Sequence, residues 1–248
     1  MNVTIKNEQE IEKMRRAGKI LKETLDLIEA SIYPGQTSLH LNDLAYNYII
    51  SQGAKPSFLN YEGFPYTICA SVNAQVVHGF CSSVPLKEGD IISIDCGVIW
   101  EGYHSDAART FAVGNISLEK SRLIEVTKQS FFEGIKDIKA GSRLGHISHK
   151  IQLCLESHGY GVVRELAGHG IGTHLHEDPC ILNFGKYNSG ITLEAGMTLA
   201  IEPMSTLGSR EVYLEDNDWT VTTQDGSPSA HYENTILITK DGVEILTM

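Results

Sequence analysis

The sequence predicts one pseudo-symmetric α+β domain, and three observations carry that reading. The first is size and composition: 248 residues, 42% of them hydrophobic, suffice for one large core or two small ones and exclude a disordered chain. The second is an internal repeat. Residues 34–54 (PGQTSLHLNDLAYNYIISQGA) align without gaps on residues 140–160 (AGSRLGHISHKIQLCLESHGY), matching Gly35 with Gly141, Leu41 with Ile147, Ile49 with Leu155, Ser51 with Ser157 and Gly53 with Gly159. The segment LKEGDIISID, 86–95, then aligns on LEAGMTLAIE, 193–202. The third is the plan within each copy: a glycine turn, an amphipathic helix, a glycine stop, and a buried strand that ends in a carboxylate. Two copies are too few for a solenoid. The expectation is therefore a single domain, 1–248, of two halves, roughly 1–115 and 116–248.

The elements follow in order. Ile11, Met14, Leu21, Leu25 and Ile28 recur at helical spacing, with Asn7 and Glu10 placed as a capping box and Pro34-Gly35 beyond the end. Leu41, Leu44, Ala45, Tyr48 and Ile49 predict a second helix that stops at Gly53. Residues Ile91 to Ile99 and Tyr103 to Val113 read as strands joined by a tight turn at Glu101-Gly102. Leu144, Ile147, Ile151, Cys154 and Leu155 form the partner helix, ending at Gly159. Trp219 to Thr223, Ser229 to Thr239 and Val243 to Leu246 are further strands, with turns at Asp225-Gly226 and Asp241-Gly242.

Charge and cysteine content narrow the function. With 20 basic and 31 acidic side chains the net charge is -11, which disfavours a nucleic-acid or anionic-membrane footprint and favours a cationic ligand. Five cysteines, Cys69, Cys81, Cys96, Cys154 and Cys180, without a C-x-x-C pair, fit neither a disulfide framework nor a zinc ribbon. The N-terminal residues carry mixed charges and no apolar run, and the most apolar stretch, Ile91 to Trp100, is interrupted by Asp95, so neither a secretory signal nor a membrane span is expected. A cytoplasmic setting follows.

The chemistry begins with acids in core-like strands. If Glu101-Gly102 is a two-residue turn, Asp95 faces Ala108 and Asp106 lies one pleat away on the same face, within reach of a shared ligand. Glu202 repeats Asp95 in the second half, and Glu233 sits inside the strand-like run HYENTILIT. Buried carboxylates in such number need a cation. Between them AGHGIGTHLHEDP places His169, His174 and His176 in a glycine-rich loop and offers an imidazole to the same site. Four oxygens and a nitrogen suit Mn, Fe, Co or Zn, and four negative charges match two divalent ions. Gly168, Gly170 and Gly172 do not make a dinucleotide loop, His176-Glu177 lacks the second His of H-E-x-x-H, and no nucleophile elbow is present. His146 and His149 read as an exposed helix face.

These pieces, VNAQVVHGF, IDCGVIWEGYHSDAARTF, AGHGIGTHLHEDP, LAIEPM and SAHYENTILIT, resemble the type I methionine aminopeptidases over essentially the whole chain. The resemblance implies the pita-bread fold, an antiparallel curved sheet covered by helices. It implies two divalent ions per chain (Co, Mn, Fe, Zn or Ni), with Asp95 on one, His169 and Glu202 on the other, and Asp106 and Glu233 bridging. His78 and His176 would contact the scissile amide and its tetrahedral intermediate, and Glu202 would carry the proton. Tyr61, Phe64, Cys69, Leu175 and Trp219 would wall the methionine pocket. Phe58, where several bacterial relatives carry Cys, would narrow its mouth. His231 departs from the Gln of many relatives, and His174 and His231 receive no role.

The implied reaction is metal-assisted hydrolysis of the first peptide bond of nascent polypeptides when the second residue is small. By that rule Met1, followed by Asn2, stays on the mature chain. Prolidase and aminopeptidase P usually carry a sizeable domain before this one, and type II enzymes carry a helical insert between the last two glutamates, here only 31 positions apart. A non-catalytic binding protein of this fold would have lost ligands. Lys13, Arg15, Arg16, Lys19 and Lys22 make the first helix basic and suggest transient ribosome contact, against the simpler reading of a solvated face.

Overall fold

The computed structural model describes residues 2–248; Met1, and with it the expected retention of that residue, lies outside them. In chain order the elements are α1 (Glu8–Glu29), α2 (Ser38–Ser51), β1 (Lys55–Pro56), β2 (Ile68–Val72), β3 (Gln75–Val77), β4 (Ile91–Trp100), β5 (Tyr103–Ala112), α3 (Leu118–Ile135), α4 (Gly145–Ser157), β6 (Gly161–Val162), β7 (Ala167–Gly170), β8 (Glu177–Leu182), β9 (Thr198–Ile201), β10 (Met204–Thr206), β11 (Val212–Leu214), β12 (Val221–Thr223), β13 (Ser229–His231), β14 (Asn234–Ile238) and β15 (Val243–Ile245). The sheet ladders are antiparallel, in the orders β1-β4-β2 with β5 on β4, β13-β10-β6, β11-β12-β3, and β15-β14-β9-β7-β8.

Helices cover these sheets by burying one face each, an apolar stripe in α1, α2 and α4. Helix α1 opens on the capping box of Asn7 and Glu10 and buries Ile11, Met14, Ile20, Leu21, Leu25 and Ile28. Its middle, with Leu41, Ala45 and Ile49 of α2, packs on Ile92, Ile94, Cys96 and Val98 of β4. A second core joins Phe131 of α3 and Ile147, Ile151 and Leu155 of α4 to Leu199 and Ile201 of β9 and Ile236 and Ile238 of β14. Full burial of each such side chain stabilises by about 1.5–3 kcal/mol. No helix among the described residues is long and apolar enough to cross a membrane.

The register of the β4–β5 hairpin is the one the Glu101-Gly102 turn dictates: Trp100 faces Tyr103, Asp95 faces Ala108, and Asp106 faces Gly97. Elsewhere the chain departs from expectation. The strand expected over 229–239 is two, β13 and β14, because Glu233 leaves the ladder to exchange backbone hydrogen bonds with Ala108 of β5. The strand expected from Trp219 starts only at Val221, since the Asn217 side chain accepts from the N–H groups of Trp219 and Thr220 and curls the chain into a turn. Helix α3 was not legible as an apolar stripe. Its buried face includes Thr127 and Ser130, and Thr127 bonds the Leu123 carbonyl and the Ser205 hydroxyl.

Candidate metal centre and substrate pocket

Asp95 and Asp106 project from β4 and β5, His169 from β7, Glu202 from the residue after β9, and Glu233 from the break between β13 and β14. His169 thus stands in a strand, not the glycine-rich loop expected for it. The flanking glycines make this possible: a Cβ at Gly168 would lie 2.4 Å from the Ala200 carbonyl oxygen, and one at Gly170 would lie 2.1 Å from that of Asp178. Only glycine lets β7 press this closely between its neighbours.

The acids are held from behind. Thr235 Oγ1 accepts from the Asp106 N–H and donates to the Asp106 carbonyl, both at 2.9 Å. The Arg109 guanidinium donates to the carbonyls of Ala108 and Glu233 and to Asn234 Oδ1, clamping β5 to β14. Asn183 Nδ2 donates to the Glu202 carbonyl at 2.8 Å. At the front, His169 Nε2 is 3.7 Å from Asp106 Oδ2 and 3.9 Å from Glu202 Oε1. Its Nδ1–H donates to the Gly170 carbonyl at 2.8 Å, which leaves the Nε2 lone pair facing the carboxylates.

Burial drives every carboxyl of the cluster upward: Asp95 to about 7, Glu202 to about 8, and Asp106 and Glu233 well above the ordinary carboxylate range, the last two raised further by neighbouring acids. Burial lowers His169 to about 3, so its imidazole is neutral. Asp95 Oδ1, Asp106 Oδ1 and Glu233 Oε1 are buried without a hydrogen-bond partner. A buried polar atom left unpaired costs about 1–3 kcal/mol, more when charged. Two groups of donor atoms, Asp106–His169–Glu233 and Asp95–His231–Glu233, each fall within 4.8 Å, and they share Glu233. Orphaned oxygens, raised carboxyls and a ligand-ready imidazole are the donor set of divalent metal ions, and these residues fit them.

Above the cluster lies a cavity of about 190 Å³ lined by Phe58, Tyr61, Glu62, Phe64, Cys69, His78, Asp95, Asp106, His169, Leu175, His176, Glu202, Trp219 and Glu233. All thirteen side chains singled out in the sequence border it. Cys69 of β2 pairs with Asp95 of β4, so one ladder sets wall and floor together. Phe64 meets Trp219 and Phe80 edge-on at 5.1 and 5.6 Å between centroids. Phe58 lies against β4 where a Cβ at Gly97 would come within 2.8 Å of its ring. His78 sits at the edge, in the left-handed backbone region (φ 56°), held down to about 4 by burial. His176 faces His169, with ring centroids 4.4 Å apart, and is also lowered by burial.

His174 turns to solvent, its side chain 81% exposed, and His146 stacks on Tyr187 elsewhere. Two residues were missed. Glu62 reaches the cavity mouth from a short 3-10 turn that no periodicity announces. His231 joins the cluster itself, and the one signal for it was its position two residues before Glu233 in a run expected to be one strand, where alternation would put both side chains on one face.

The comparisons agree with this geometry. The model of metallopeptidase family M24 matches residues 12–240. The methionine aminopeptidase of Clostridium perfringens is 53% identical over 246 residues, covering 99% of each chain. The crystal structure of methionine aminopeptidase from Rickettsia prowazekii superposes with a TM-score of 0.98 at 45% identity over the full length of both chains. The prolidase from Pyrococcus furiosus, at 23% identity, TM-score 0.79 and 65% of its own length, shares the fold alone. The chain belongs to metallopeptidase family M24 and, within it, to the methionine aminopeptidases.

Proposed function

We propose that this chain hydrolyses the N-terminal methionine from nascent proteins and peptides whose second residue is small. The observation that carries the reading is the stack of an apolar, aromatic pocket on four buried carboxylates and an imidazole. Divalent ions held by Asp95, Asp106, His169, Glu202 and Glu233, two in our reading, would acidify water and polarise the substrate carbonyl.

The chain's own groups do the rest. Phe64, Leu175, Trp219 and Cys69 enclose an unbranched thioether, and aromatic edges beside sulfur favour methionine over its isosteres. The acidic floor attracts the free α-amino group, which restricts cutting to chain ends. His78 and His176, both neutral near pH 7, each offer an N–H to the scissile amide and the tetrahedral centre. Glu202, which lines the cavity beside the place of the scissile bond, accepts a proton from attacking water and returns it to the leaving amine.

We read the whole chain as one catalytic domain of two pseudo-symmetric halves, roughly 1–115 and 116–248. The equivalent places of α2 and α4, and of Asp95 and Glu202, support this. The five free thiols suit a reducing, cytoplasmic setting. We keep transient ribosome contact through α1 in a reduced form: Arg15 is held by Glu8 and Glu244 and Lys22 by Asp26, while Lys19 is exposed.

Competition among Met-Ala-Ser, Met-Lys-Ser and Leu-Ala-Ser on metal-loaded enzyme tests the function. The expected order puts Met-Ala-Ser first, with Leu-Ala-Ser slower by the roughly 1–3 kcal/mol that an apolar pocket distinguishes. Comparable kcat/KM for all three would replace methionine selectivity with a broad aminopeptidase.

A further inference from the structure

The imidazole of His231 has no hydrogen-bond partner in the interior it occupies. Its side chain is 2% exposed, and neither Nδ1 nor Nε2 makes a hydrogen bond. Its backbone is held in place, because β13 pairs His231 with Met204 and Thr110 Oγ1 bonds both its N–H and its carbonyl at 2.9 Å. Nε2 lies 3.3 Å from Glu202 Oε2 and 3.7 Å from Glu233 Oε2. With oxygens of Asp95 and Glu233 it forms a donor group within 4.8 Å, the counterpart of the Asp106–His169–Glu233 group next to it.

We propose that His231 is a ligand of the divalent centre, giving the Asp95–Glu233 half an imidazole as His169 gives one to the Asp106–Glu233 half. This rests on reading the carboxylate cluster as a metal centre. Two carboxylates without nitrogen suit hard cations, whereas an added imidazole shifts preference toward zinc, cobalt and iron. Each of the two donor groups then carries one imidazole, and the groups share Glu233. The buried nitrogen left without a hydrogen bond gains a partner at the same time.

The test compares wild type with His231→Gln, His169→Gln and Asp106→Asn, each checked for native circular dichroism. Calorimetric titration of the chelated proteins with cobalt(II), under anaerobic conditions, reads affinity, and X-ray absorption of the loaded proteins counts imidazoles. His231→Gln is expected to keep one cobalt site and to weaken the other at least about 100-fold, beyond what loss of an outer hydrogen bond does. Imidazole scattering per cobalt should fall by half, as it does in His169→Gln. Wild-type affinity and scattering in His231→Gln, with both reduced in His169→Gln, would overturn the assignment and leave the metal centre standing. Wild-type uptake in Asp106→Asn and His169→Gln as well would overturn the metal centre and His231 with it. Should His231→Gln not fold, the wild-type cobalt protein decides: two imidazoles per two ions support the proposal, and one overturns it.

Discussion

Tyr61 and His176 form one unit at the mouth of the cavity: the phenol oxygen lies 2.8 Å from Nδ1, and the rings meet edge-on at 5.4 Å. Burial raises the Tyr61 hydroxyl above its ordinary pKa, so the phenol stays protonated, and the hydrogen bond it shares with Nδ1 orients the His176 ring. Tyr61→Phe keeps the ring and removes this tie. One neutral hydrogen bond is worth about 1 kcal/mol, so kcat/KM for Met-Ala-Ser should fall about fivefold with metal content unchanged. Steady-state kinetics beside elemental analysis check this, and an unaltered rate would mean that His176 is oriented by its other contacts.

Glu202→Gln should lower kcat by about 10² to 10⁴, the usual contribution of a general acid–base group. The fold should persist, because the side-chain volume is kept and Asn183 still holds the backbone carbonyl. Single-turnover rates on samples of measured metal content decide it. Near-normal turnover with metal bound would remove Glu202 as the proton carrier.

Metal removal should expose a pH dependence of stability. In the chelated protein burial raises Asp95 to about 7, Glu202 to about 8, and Asp106 and Glu233 well above their ordinary 3.8 and 4.5. A carboxyl whose folded pKa is raised binds its proton more tightly in the folded state, so its stabilisation is complete below the ordinary range and is lost as pH rises through the folded value. The melting temperature in excess chelator should therefore fall between pH 5 and pH 8. Added divalent ions should recover most at the alkaline end. A flat melting profile with metal removal verified would mean that these acids are hydrated.

Lys6 and Glu177 give the opposite sign. Burial pushes the Glu177 carboxyl up, but the Lys6 ammonium at 2.7 Å, the Thr4 hydroxyl and the His174 N–H outweigh it and hold the group at about 2. A depressed carboxyl stabilises above its ordinary 4.5 and loses that contribution as pH falls toward 2. Lys6→Met should cost about 3 kcal/mol at neutral pH, the lower end for a broken buried pair, and flatten the acid limb of stability against pH. Urea midpoints at pH 3, 5 and 7 measure both effects.

What the sequence determined by itself is local. The capping box and apolar spacing of α1, the stripes of α2 and α4, and the register of the β4–β5 hairpin all follow from contacts within a few residues or across one tight turn. Acids inside apolar strands likewise announced Asp95, Asp106, Glu202 and Glu233, because burial without a cation is too costly to be incidental. Tertiary structure alone decided the remainder. Glu233 breaks a strand because its backbone partner, Ala108, comes from the other half of the chain. Helix α3 buries hydroxyls because Ser205, 78 residues away, answers Thr127. His231 faces Glu202 only once β13 has paired with β10. Pairings over such separations depend on the closed three-dimensional arrangement, and no spacing along the chain encodes the distance between two side chains that meet across it.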